Sequence, residues 1–242
     1  MSRQRTENSV SDALRALVTP RSRLVLVLAT ALVGVLVAFA LAIALPADQR
    51  TFTRVVPLVQ LIISVLTPFS AALLTHDLRD SAGSVRSRWV AAALYGVVAG
   101  GYGAAVSAAA VAAGSGGQLS TIDPWIGAWS AACGSLVAQL IPVGVGCGAG
   151  LLIRRAGYAE LATIALPLAA SFLLGRYSPA GTTEWVTPLG AVSHLLPGPM
   201  TPVAWAQWAV TATLWVVLPN AIGARLLRRR RGAAAAAEAD SI

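Results

Sequence analysis

Apolar residues fall into six long runs separated by short polar stretches, and the lengths of those runs set the expected fold. Residues 24–45 hold a single polar side chain, Thr30. About 20 apolar residues in a helix are enough to cross roughly 30 Å of hydrocarbon. Comparable runs at 55–74, 89–113, 125–153 (starting at Trp125 or Ala128), 161–175 and 203–227 predict five further spans. The fifth is short and interrupted by Pro167, with a possible extension back to Ala159. Between the last two runs, residues 176–202 contain Pro179, Pro188, Pro197, Pro199 and Pro202 among apolar pieces such as WVTPLGAVSHLL. That stretch is too apolar for a free loop and too short to cross twice, so short half-inserted helices are expected there. Trp205 and Trp208 stand near the outer interface of the sixth span, and Pro219 and Asn220 interrupt its inner half. The fold class is all-α: a polytopic membrane protein with six transmembrane helices and both termini on the cytoplasmic side.

Before the first span, Val10, Leu14, Leu17 and Val18 recur at i, i+4, i+7 and i+8, which puts one apolar stripe on a helix. Ser9 followed by Asp12 resembles a capping box. A short amphipathic helix lying in the interface and ending near Pro20 is expected, after a frayed tail over residues 1–7. The chain divides into residues 1–22 (tail and interfacial helix), 23–227 (six-helix domain) and 228–242 (Ala-rich C-terminal tail).

Several spans carry finer patterns. Gln60, Ser64 and Thr67 share one face of the second span, with Thr75 continuing the row. Polar groups in lipid face other helices or a cavity, so this stripe points inward, as interhelical glue or as substrate contact. Pro57 and Pro68 predict a bend in the same helix. Gly96 and Gly100 stand in GxxxG spacing in the third span. Gly144, Gly146, Gly148 and Gly150 alternate in the fourth, giving two overlapping GxxxG pairs. A nucleotide-binding glycine fingerprint needs a preceding strand, so the glycines are expected to serve close helix packing.

Composition narrows the function. The chain has 242 residues, 56% hydrophobic and only 12% charged, with a mean hydropathy of +0.70. A net charge of +8 would point to nucleic acid in a soluble protein. Here the arginines sit at span ends, the pattern of anionic headgroups and topology control, and a nucleic-acid partner is not expected. Five arginines precede the first span, three follow the second, two follow the fourth and five follow the sixth. Only Arg50, Arg54 and Arg176 fall on the other side. All the basic residues are arginine, which excludes the lysine-dependent phosphate loop GxxxxGK[ST]. No cofactor is expected in this chain. Cys133 and Cys147 lie about four helical turns apart in one span and cannot bridge within it. With His76 and His194 as the two histidines, no metal-site spacing appears. A serine–histidine intramembrane protease is disfavoured, because neither histidine lies inside a span with Ser135. The span centres lack ionisable groups, which disfavours ion-coupled transport.

The polar run at 75–88, THDLRDSAGSVRSR, holds Asp77, Arg79, Asp80, Arg86 and Arg88 between two spans. Its arginine excess marks it as cytoplasmic. Over its whole length the chain resembles the six-span permease subunits of ABC type-2 exporters, of the compact, arginine-rich actinobacterial kind. The resemblance is carried by VQLIISVLTPFSAALLTHDLRD, SVRSRWVAAALYGVVAG, GVGCGAGLLIRRAGYAELATIALPL and the ending LLRRRRG. In such permeases the second span ends in an acidic residue, an aromatic or aliphatic one, Arg, a variable position, Gly and Thr. Asp77, Leu78, Arg79 and Asp80 match the first four, whereas Ser81 and Ala82 replace the last two, and the loop is several residues shorter before Arg86 and Arg88.

The resemblance implies a subunit of a bacterial plasma membrane that pairs with a second copy or a paralogue and docks separate ABC ATPase subunits, which bind the ATP. The 75–88 loop would then be the coupling element. The cargo would be hydrophobic or amphipathic. The shortened loop motivates an alternative: a non-transporting six-helix scaffold or immunity protein of the same fold.

Overall fold

A computed structural model describes residues 9–79, 83–115, 123–196 and 201–239. The tail at 1–7, Asp80, Ser81, Ala82, Pro197, Pro199 and most of the turn after the third span lie outside them. The described residues are helical, with no strands, and six helical segments are long and apolar enough to cross a membrane. In lipid only internally satisfied backbone is tolerated, so a chain of these runs folds this way.

Helix α1 (Val10–Val18) is capped by Ser9, whose Oγ accepts from the amide of Asp12 at 3.1 Å. Its apolar stripe divides between two surroundings. Ala13 and Leu17 are buried against Ala71, Leu74, Ala91, Ala92 and Val143, while Leu14 and Val18 stay exposed. The helix therefore packs on the bundle with one edge and leaves the other free for the interface. Helices α2 (Arg21–Ala44), α3 (Phe52–His76) and α4 (Val85–Ser115) follow as the first three spans.

The fourth span is broken into α5 (Ala128–Ala138) and α6 (Leu140–Leu152) at Gln139. Pro142 has no amide hydrogen for the carbonyl of Ala138, which relaxes the helix at that point. The fifth span, α7 (Ala156–Tyr177), begins earlier than the apolar run does and takes in Tyr158 and Glu160. The short helices α8 (Thr182–Val186) and α9 (Pro188–Leu195) occupy the proline-rich stretch. The sixth span begins as α10 (Pro202–Ala212), widens into a π turn at Thr213–Val217 and continues as α11 (Leu218–Ala239). The amide of Leu218 reaches back to the carbonyl of Thr213, directly before Pro219, which cannot continue a regular ladder. Helix α11 runs on through Arg228–Arg231 into the alanine-rich segment.

The core forms where α3 meets α6. More than half of the apolar windows of the second and fourth spans is buried (56% and 61%), against 17% for α2 and 11% for α7, which sit at the rim. The alternating glycines of α6 explain how it packs on two sides. A Cβ at Gly146 or Gly150 would run into the backbone carbonyls of Pro68 and Ala72 on α3. A Cβ at Gly144 would run into the Val216 side chain, and one at Gly148 would lie 3.0 Å from the Pro219 ring. One GxxxG pair thus serves α3 and the other the sixth span. On α4, Gly96 fits against the carbonyl of Gln139 and Gly100 against the backbone at Ser135 and Leu136, so that pair holds α4 to the fourth span.

Candidate functional site

Two polar constellations are built on this frame. The first lies inside the bundle. Gln60 on α3 donates to the carbonyl of Gly100 at 2.7 Å, and Gln139 at the break donates to the Gln60 side-chain oxygen at 2.7 Å and to its backbone carbonyl at 3.0 Å. Thr67 completes the group by donating to Oε1 of Gln139 at 3.2 Å. Gln60, Thr67 and Gln139 are fully buried. One turn of α4 away, Gly103 leaves the room that the Gln60 amide fills. Lower on the same face, Thr75 donates to the carbonyl of Cys147 at 3.0 Å. Ser64 has the right spacing but stays outside the group, donating at 2.6 Å to Leu61 on its own helix. The amide cluster ties α3, α4 and the fourth span together at the level of the break.

The second constellation closes the arginine-rich end. Arg23, in the first turn of α2 and only 6% exposed, donates to the last turn of α1 at the carbonyl of Ala16 (2.8 Å), to the carbonyl of Leu73 (3.2 Å) and to Asp77 (2.6 Å). A buried guanidinium needs such a set of acceptors, because desolvation of the charge must be offset at every donor. Arg79 donates at 2.7 Å to the carbonyl of Leu151, near the end of α6, and Nε2 of His76 lies 2.9 Å from the carbonyl of Arg154. From α11, Arg231 donates to the carbonyls of Leu78 (2.7 Å) and Gly83 (3.3 Å). Beneath them Leu78 is fully buried against Leu151 and Leu227, flanked by Val85 and Trp89. Of the residues singled out in the 75–88 run, Asp77 and Arg79 join this closure, Arg88 is buried and Arg86 is exposed. Asp80 lies outside the described residues.

Sequence reasoning missed Arg23, Gln139, Arg231 and the role of Asn220. Asn220 donates to the carbonyls of Gly144 and Val216, both at 2.8 Å, which fastens the sixth span to α6 where the π turn ends. An available signal was the rarity of amides inside apolar runs: each one needs a partner on another helix. Ser135 donates to Ala131 on its own helix. It stands about 28 Å along the fourth span from Arg154, where His76 binds, so these two residues do not form a dyad. Cys133 and Cys147 are free thiols. Among the described residues, no three His, Cys, Asp or Glu side chains gather as a metal site.

These features define an all-α, multi-pass membrane protein, with a buried amide cluster at mid-bundle and a loop pinned from several helices at one end. No family model, curated protein or solved structure matches the chain.

Proposed function

We propose that the chain is the membrane-spanning permease subunit of an ATP-driven ABC exporter in a bacterial plasma membrane, working as a dimer with a separate ATPase and moving a hydrophobic or amphipathic substrate. The observation that carries this reading is the way the 75–88 loop is keyed to the bundle. Its first turn is gripped by Arg23 at the base of α2, by the end of α6 through Arg79 and by α11 through Arg231. A force applied there reaches three spans at once, which is what a protein without its own phosphate loop needs from an external motor. The resemblance of the loop and of the glycine-rich fourth span to type-2 permeases supports the same assignment. Exposed Arg86 offers a cytoplasmic contact.

The test is copurification and reconstitution. The full chain should recover an ABC ATPase from its native membrane and stimulate hydrolysis by that ATPase in liposomes. Joint charge reversal, Asp77→Arg with Arg79→Asp, should abolish stimulated transport while membrane insertion persists. Failure to recover any ATPase, with no stimulation in liposomes, would reject the reading.

A second reading, a non-transporting scaffold or immunity protein of this fold, draws on the internal engagement of Asp77 and Arg79. It predicts a protein that protects or organises its membrane without changing the hydrolysis rate of any ATPase it is mixed with.

A further inference from the structure

At the end opposite the arginine-rich closure, a groove of about 310 Å³ runs between the last turns of α2 and α4. Phe39, Ala42 and Ile43 form one wall, Ala110, Ala113 and Gly114 the other, and Arg50 stands at the mouth. The walls carry no polar side chain. Ile43 is 78% exposed, so the groove opens sideways, towards the surrounding bilayer, rather than into the bundle.

Arg50 is one of the few arginines at this end of the molecule, and its placement has a local cause. Nε donates to the carbonyl of Leu45 at 2.7 Å, while the two terminal nitrogens reach the carbonyls of Gly114 at 3.3 Å and Ile43 at 3.5 Å. These are the acceptors that two helices leave unsatisfied where they end. The carbonyls orient the guanidinium but bring only partial charge. The two longer bonds are weak ones. No carboxylate among the described residues forms an ion pair with Arg50. A full positive charge with spare N–H groups is therefore held in fixed orientation over an apolar slot. The matching ligand has a negative head and an aliphatic body, because a planar guanidinium binds phosphate through paired hydrogen bonds and the slot accepts methylene groups.

We infer that the α2–α4 groove is a binding site for one anionic phospholipid of the adjacent leaflet, its phosphate on Arg50 and the start of an acyl chain between Phe39, Ile43 and Ala113. The site does not depend on the transport reading.

The test uses the full chain in nanodiscs, with phosphatidylglycerol or phosphatidylcholine of equal chain length supplied at matched mole fraction, and native mass spectrometry of the released protein as readout. One phosphatidylglycerol should be retained in preference to phosphatidylcholine. Two variants locate it. Arg50→Gln keeps donors for the carbonyls but removes the charge. Ala113→Trp fills the groove from an exposed position and leaves Arg50 intact. Each should lower retention by about tenfold, the scale of losing one hydrogen bond to a charged group. Equal retention of the two lipids by the unaltered protein would overturn the site. So would undiminished phosphatidylglycerol retention in Ala113→Trp, a result that also separates this groove from headgroup binding by arginines at the other end. If Arg50→Gln fails to fold, Ala113→Trp alone decides.

Discussion

At the scale of single residues, the bundle is specified by a few side chains that cross between helices and by glycines that let helices touch. Gln139 is the hub of the amide cluster: it donates twice to Gln60 and accepts from Thr67. Gln139→Leu should cost about 1 kcal/mol, the upper range for interhelical hydrogen bonds in membranes, as read by reversible unfolding in mixed micelles. Adding Gln60→Leu should cost less than the sum of the two single changes, because the second substitution removes a group already left without its partner. The glycines should rank by what a Cβ meets. Gly146→Ala and Gly150→Ala push on the carbonyls of α3, and Gly144→Ala on both methyls and the Cβ of Val216, so each should lose about 1–3 kcal/mol. Gly157→Ala, with nothing within 4 Å, should be neutral in the same assay. The sequence showed that Gln60 and Thr67 share an inward face, because helical spacing reports directions around one helix. It could not name their partner, which lies on another helix 72 positions from Thr67. Ser64 shares the spacing but is only partly buried, unlike Thr67 and Thr75, and its hydroxyl bonds back to Leu61 on its own helix.

At the scale of elements, breaks and tethers matter more than the apolar runs that announced the spans. A hydropathy window sees the fourth span as continuous, although Pro142 two residues beyond the Ala128–Leu152 midpoint opens it at Gln139. The π turn before Pro219 is similarly silent in composition, though the proline itself marked the place. Helix α7 starts at Ala156, ahead of the apolar run and of its extension to Ala159, because hydrophobic pattern marks the lipid-facing stretch and not the first turn of the helix that carries it. Helix α1 has nine residues, too few to persist alone, so its order depends on its contacts with the bundle and on Arg23. Arg23→Ala should therefore raise amide hydrogen exchange across Val10–Val18 by about tenfold or more, for a loss of roughly 1.4 kcal/mol of local stability. Asp77→Asn should give a smaller rise, since Arg23 keeps the carbonyls of Ala16 and Leu73. Unchanged exchange in Arg23→Ala would mean that Ala13 and Leu17 alone hold the helix.

At the scale of the whole molecule, the number of spans was legible and their arrangement was not. Helices α2 and α7 are apolar enough to cross a membrane yet bury little, while the fourth span, of intermediate hydropathy, lies at the centre. Lipid tails are as apolar as leucine, so hydropathy alone does not separate a rim helix from a central one. The arginine distribution predicts that a unique cysteine at Ser84, in a background with Cys133 and Cys147 replaced by alanine, reacts with a membrane-impermeant maleimide from the same side as both termini. Labelling from the opposite side would invert the molecule and remove the proposed contact with a motor. The two-sided glycine pattern of α6 carries one more consequence, for how the chain can vary in length. Each added residue turns everything beyond it by about 100°. A single insertion directly after Gly146 would turn Cys147 onto Pro219 and Ala149 onto the carbonyl of Ala72, where a Cβ collides. Natural length differences among descendants of this gene should accordingly collect in the connections and spare positions 144–150 altogether.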